Sequence, residues 1–301
     1  MKLSSLCAVL VSALTAGASS AAAAWQYHLP STGLLPSAAS FSYLGAAGER
    51  HHGEDSLGLQ TAEMTIPFAD PRRSNIEDWY LNAALDMEFD HLTGANALNL
   101  DEQHLYTFTL PLSVIHPLSN GHRLILTAAP HLATDFNGSA HSFGMGGYAV
   151  YRFYHTEKLD ASAGVVCMPN ESYWWFVPIA AVEWKPTPDW CVSLKGFRLQ
   201  AMHELGHGLS LGAFARGIGG SWAVHGEDGT RLLRVRSLTA GARLEWDFSQ
   251  AGQTKRILFA DAGASFFTSA ETLRYSDKRH TEEMHHYHPA PYLSFGADFR
   301  F

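Results

Sequence analysis

Between Leu238 and Phe248 the chain alternates without a break. Leu238, Ala240, Ala242, Leu244, Trp246 and Phe248 fall on one parity, and Thr239, Gly241, Arg243, Glu245 and Asp247 on the other. Successive side chains of a strand point to opposite faces, whereas a 3.6-residue period would mix the two sets. The stretch therefore specifies a strand with one apolar and one charged face, expected over Leu232 to Phe248. The end of the chain repeats it: Leu293, Phe295, Ala297, Phe299 and Phe301 oppose Ser294, Gly296, Asp298 and Arg300. So does an earlier stretch, with Trp79, Leu81, Ala83, Leu85, Met87 and Phe89 against Tyr80, Asn82, Ala84, Asp86, Glu88 and Asp90.

Weaker alternation predicts further strands at Phe41 to Ala47, Ser56 to Phe68, Leu105 to His116, Arg123 to Thr134, Phe143 to His155, Leu159 to Cys167, Tyr173 to Lys185, Cys191 to Met202, Leu209 to Val224 and Lys255 to Thr268. The Asn-Gly at 120–121 supplies hairpin-turn chemistry between two of them. The expectation is an all-β chain of roughly 12 strands, since single-chain bacterial barrels favour even counts. A soluble β-sandwich alternates as well, with its apolar faces packed together. Strand lengths near the ~9–11 residues that cross a bilayer favour a closed antiparallel transmembrane β-barrel over 41–301.

Two composition figures bear on location. Charged residues make up 17% of the chain, below the roughly 25% of soluble domains. The net charge of -8 gives no basic footprint for nucleic acid. The start has the form of a secretory signal peptide over 1–24: Lys2, an apolar run from Leu3 to Ala16, then small residues to Ala24. An irregular lead-in, with Pro30, Gly33 and Pro36, is expected over 25–40. No later apolar run approaches the ~20 residues of a spanning helix. These features imply an outer-membrane location, with membrane lipid and the barrel-assembly machinery as partners. Cys7 leaves with the signal peptide. Cys167 and Cys191 fall at opposite rims on this strand assignment, beyond the ~4–7 Å Cα separation of a disulfide, and are expected as free thiols.

The segments Phe176-Val-Pro-Ile-Ala-Ala-Val-Glu-Trp-Lys-Pro-Thr-Pro-Asp-Trp190, Gly219-Gly-Ser-Trp222 and Pro289-Ala-Pro-Tyr-Leu-Ser-Phe-Gly-Ala-Asp-Phe-Arg-Phe301 resemble a family of uncharacterised outer-membrane β-barrel proteins of Gram-negative bacteria. The resemblance implies the fold and the location and carries no catalytic residues. The last strand, with Leu293, Phe295, Ala297, Phe299 and Phe301, also resembles the signal that outer-membrane assembly machinery reads.

Several clusters invite a chemical interpretation. His203-Glu-Leu-Gly-His207 matches HExxH, which on a helix would place two zinc ligands on one face with Glu204 activating water, and Glu227 as a distant third ligand. That is the alternative function, a zinc-dependent hydrolase. Glycines at 206, 208, 212, 217, 219 and 220 oppose a helix at up to ~1 kcal/mol each, and favour a hairpin turn over Glu204 to Gly208. His280, His285, His286 and His288 with Glu282 and Glu283 are expected in a solvated connection before the last strand. His51-His52 is a weaker cluster, and His141-Ser142 point to opposite faces of a strand, unlike a nucleophile and its base. No catalytic, cofactor or metal residue is therefore assigned. The inward charges Asp86, Glu88, Arg243, Glu245, Asp247, Asp298 and Arg300 are expected to line the lumen, either as a path for small solutes or as salt bridges that close a structural surface barrel.

Overall fold

The computed structural model describes residues 37–48, 56–69, 75–76, 79–94, 98, 100, 103–137, 142–170, 173–226, 229–249, 255–274 and 281–300. The signal peptide, most of the lead-in and Phe301 lie outside them. Strand β1 (Ser37–Gly48), starting four residues before the expected Phe41, pairs with β2 (Ser56–Ala69). The two-residue β3 (Asn75–Ile76) folds onto the start of β4 (Trp79–Thr93), whose main partner on that side is β2. The other edge of β4 takes β5 (Gln103–Thr109) and then β6 (Leu112–Pro117). Both β5 and β6 pair onward with β7 (Arg123–Thr134). An antiparallel meander follows through β8 (Ser142–His155), β9 (Leu159–Asn170) and β10 (Tyr173–Thr187). It continues through β11 (Trp190–Lys195), β12 (Arg198–Gly206), β13 (Leu209–Gly226), β14 (Gly229–Asp247) and β15 (Lys255–Arg274). β15 carries β16 (Thr281–His286) at one end and β17 (Ala290–Arg300) along the rest, and β17 pairs with β1.

Pairing thus closes on itself, and the fold is an all-β closed barrel. β5 with β6, and β16 with β17, are single staves interrupted at Leu110–Pro111 and at Tyr287–Pro289. The sheet has 17 segments; setting β3 aside and joining each interrupted pair leaves 14 staves among the described residues. The expected 12 falls short by two: one of the thirteen ranges is set aside to reach an even count, and Cys191 to Met202 is not one strand. It is β11 and β12, turning at Gly196–Phe197. That turn carries an apolar residue packed against a core cluster, so it lacks the polar signature by which turns are found. The histidine-rich segment before the last strand is likewise strand β16 over Thr281–His286, not a loop.

The rim that holds Ser37 and Arg300 is here the terminal rim, and the opposite one the far rim. Toward the terminal rim on β14 and β15, and over the first half of β17, burial alternates. Leu244, Trp246, Leu258, Leu293 and Phe295 are exposed outward, while Thr239, Arg243, Asp261, Ser265 and Ser294 are buried inward. Toward the far rim the alternation stops: Trp222, Ala223 and Val224 are buried in succession, as are Leu232 to Val235 and Ala270 to Leu273. Both faces of these strand ends are covered. One apolar cluster fills this region, joining Trp222, Leu233 and Val235 to Leu57, Leu92 and Leu105 and to Leu98 and Leu100 of the β4–β5 connection.

Candidate functional site: a lumen with opposed charges

The register of the inward positions builds two charged walls. Glu63 of β2 lies directly opposite Glu88 of β4, and Asp86 and Asp90 share Glu88's parity. Glu88 interacts electrostatically with each of the other three carboxylates. Like charges directly opposite each other on a sheet are destabilising, so their concentration here is not a device for stability. Asp90 is buried and accepts a hydrogen bond from the Thr61 hydroxyl at 2.6 Å.

The second wall is basic and stands on β12, β13 and β14. Arg198 is paired in register with Arg216, and Arg198 senses Arg243 and Arg216 as like charges and Asp261 and Glu245 as opposite ones. Arg243 donates to both carboxylate oxygens of Asp261, at 2.9 and 3.0 Å, and to Glu245 at 2.5 Å. Its guanidinium lies 4.0 Å from the centre of the Phe259 ring. Glu245 also accepts from the Gln200 amide at 3.0 Å. Arg216 reaches the Tyr292 hydroxyl on β17 and stacks over its ring. Counted around the ring, β13 and β4 are six staves apart, so the walls face each other across the lumen.

Of the residues expected inside, Arg243 and Glu245 belong to the basic wall, Asp86 and Glu88 to the acidic one, and Asp298 is half-buried on β17. The side chain of Arg300 is outside the described residues. Asp247 is half-buried on the parity of Arg243 and Glu245, and its carboxylate accepts from the backbone N–H of Ser249 at 3.0 Å and from the Ser249 hydroxyl, tying down the chain just after β14. Glu63, Arg198, Arg216 and Asp261 escaped the sequence argument although each sits on the inward parity of an expected strand or its direct extension. Carrying that parity across neighbouring strands would have found them.

Toward the far rim β13 leaves the wall. Beyond Arg216 it has no pairing with β12, and it meets β7 instead, six staves away, in a parallel bridge of Ala223 with Thr134. The Asp135 N–H donates to the Ala223 carbonyl at 3.1 Å, and the His225 N–H to the Asp135 carboxylate at 2.6 Å. Trp222 donates from its indole N–H to the Thr107 hydroxyl of β5 at 3.0 Å. Gly219 permits the departure: its φ is +137°, and a Cβ there would stand 2.1 Å from the Val235 carbonyl oxygen. The β13–β14 hairpin therefore lies across the lumen above the charged walls.

The HExxH segment is not helical. His203 and Glu204 are consecutive strand residues of β12, His203 stacks on Trp190 with ring centres 4.9 Å apart, and His207 sits in the β12–β13 turn with φ 54°. A hairpin turn falls within the expected Glu204 to Gly208 but is shorter: Glu204 to Gly206 continue β12, and only His207 and Gly208 make the turn. His285 and His286 are neighbours on β16 and face opposite ways, His280 and His141 lie outside the described residues, and so do Glu227 and His51-His52. Cys167 is level with Phe176 and Cys191 lies beside Val192, which is level with Trp184, on the other end of β10; neither is in a disulfide.

No protein-family model matches the chain, and no curated protein does. Among solved structures it is similar to a deltaS2 mutant of the TodX monoaromatic hydrocarbon channel, at 10% identity over 88% of this chain and 90% of that one, with a TM-score of 0.34. It is also similar to the β domain of the Bordetella autotransporter BrkA, at 8% identity over 88% and 99%, with a TM-score of 0.24. Likenesses this loose carry no argument about the chain's activity.

Proposed function

We propose that the protein is an integral outer-membrane barrel that passes small polar solutes, with the conformation described above as its closed state. The observation that carries this reading is the facing of an acidic wall on β2 and β4 by a basic wall on β12 to β14 inside a closed ring. Opposed walls set a field across the lumen that aligns dipolar solutes and lets either sign of small ion find a favourable side. A purely structural barrel gains nothing from placing Glu63 against Glu88. The outward belt of Leu244, Trp246, Leu258, Leu293 and Phe295 suits hydrocarbon, and the closed ring satisfies its backbone groups within the sheet.

The test is current through planar bilayers under a potassium chloride gradient. The protein is expected to give stepwise openings, and the Glu63→Gln/Glu88→Gln double variant to move the permeability ratio toward chloride by at least about two-fold, because the acidic wall then loses half its carboxylates. Silence from both proteins would overturn the channel reading and leave a structural barrel.

A further inference from the structure

The wall of the barrel is not the same height all round. β11 and β12 have 6 and 9 residues, between a β10 of 15 and a β13 of 18. The hairpin they form ends at Gly196–Phe197, where Gly196 N–H donates to the Ala180 carbonyl at 3.3 Å and Gly217 N–H to the Phe197 carbonyl at 3.4 Å. Above those bonds, among the described residues, β10 is paired with β9 alone over 173–179, about 23 Å of strand at ~3.3 Å per residue. β13 has meanwhile turned inward to β7. Among the described residues this leaves a notch between β10 and β13, about 14 Å wide at its floor from three ~4.8 Å strand spacings. Pro178, which has no N–H to donate, lies within the one-sided part of β10, as proline does on strands with a free edge.

The inner wall beside the notch carries an apolar patch next to the ion pairs Arg152–Asp160 and Glu183–Lys195. Ile115, Ile125, Tyr148, Val150, Val166 and Ile179 form one buried cluster running across β6 to β10. Ile115 and Ile125 lie near the terminal rim, and Ile179 lies beside the notch. Phe197, on the notch floor, packs against this cluster together with Val177. The outer surface at the same level is apolar too: Phe176 is 67% exposed and Leu199 37%.

We infer that the notch is a side entrance through which the hydrocarbon chain of a membrane amphiphile reaches this inner apolar track. A wholly apolar ligand would meet Lys195 and Arg198 on either side of Phe197 and leave the two one-sided strand edges facing hydrocarbon, and a wholly polar one would leave Phe197 and Ile179 without an apolar contact. An amphiphile satisfies both, its polar end hydrogen-bonding the edges while its chain lies on Phe197 and Ile179. The inference rests on the membrane location proposed above, and the experiment separates the two.

Full-length protein carrying Phe197→p-benzoylphenylalanine or, separately, Phe295→p-benzoylphenylalanine is folded into palmitoyl-oleoyl-phosphatidylcholine vesicles, irradiated, and weighed intact. Phe295 is 60% exposed on the outer belt and reports the bilayer itself. A phospholipid adduct at both positions is expected, with Ile179→Ser lowering the yield at 197 at least fivefold and leaving that at 295 unchanged. Adduct at 295 alone would overturn the side entrance and leave the membrane location standing. Adduct at neither would overturn both. A yield at 197 indifferent to Ile179→Ser would overturn the track.

Discussion

β14 is two strands in one as far as its surroundings are concerned. From Thr239 to Asp247 its residues alternate between an exposed outer face and a buried or half-buried inner one, and Arg243 and Leu244 are neighbours with 5% and 44% exposure. From Leu232 to Val235 every residue is buried. The backbone pairing is continuous between them apart from one irregularity at Arg236–Leu238. The contrast teaches that alternation records what covers each face rather than strand structure itself. One half faces a medium outside and charged groups inside; the other is clasped on both sides by its own chain.

Disturbing the inner face of the alternating half should have the largest effect. Arg243→Ala leaves Asp261 buried without its partner, which costs about 3–5 kcal/mol. The urea midpoint of the heat-modifiable folded form should fall accordingly, and Arg243→Met with Asp261→Leu should recover most of the loss. One residue along, Leu244→Arg tests the outer face. In a bilayer it should cost about 2–4 kcal/mol for a position near the midplane, measured as folding into vesicles. The same change on a water-facing surface would stay within about 0.5 kcal/mol, so the pair of neighbours discriminates the two media. In the clasped half, Thr107→Val removes the acceptor of the Trp222 indole N–H and should cost about 1–3 kcal/mol. That loss should appear as faster hydrogen exchange confined to the β13–β14 hairpin.

Much of the barrel was legible in the sequence because inward and outward residues obey different chemistry at every second position. Arg243, Glu245, Leu293 and Phe295 stand out for that reason. The stave count was less legible: Gly196–Phe197 makes a turn whose apolar residue is half-buried against a core cluster, so β11 and β12 run together in the sequence. The inward course of β13 was the least legible. Gly219-Gly-Ser-Trp222 shows a glycine pair and an aromatic residue, yet the partners that give them meaning, Thr107 and Thr134, lie on strands far away in the chain. Pro178 did carry a signal, since it marks an edge in a ring that should have none. The opposed walls needed registers as well as parities, and registers depend on turns and bulges that only the folded chain reveals.

On the function proposed above, the β13–β14 hairpin closes a conducting lumen. Trp222 anchors it, and Trp222→Ala removes a fully buried side chain at about 3–5 kcal/mol, enough to shift a closed hairpin toward open without touching the charged walls. The direct measurement is open probability in planar bilayers, protein against Trp222→Ala, with both shown to be folded by gel migration. Brief openings are expected from the unaltered protein and at least about tenfold greater open time from the variant, the factor that ~1.4 kcal/mol of differential destabilisation provides. Equal open times, or silence from a folded variant, would contradict that reading.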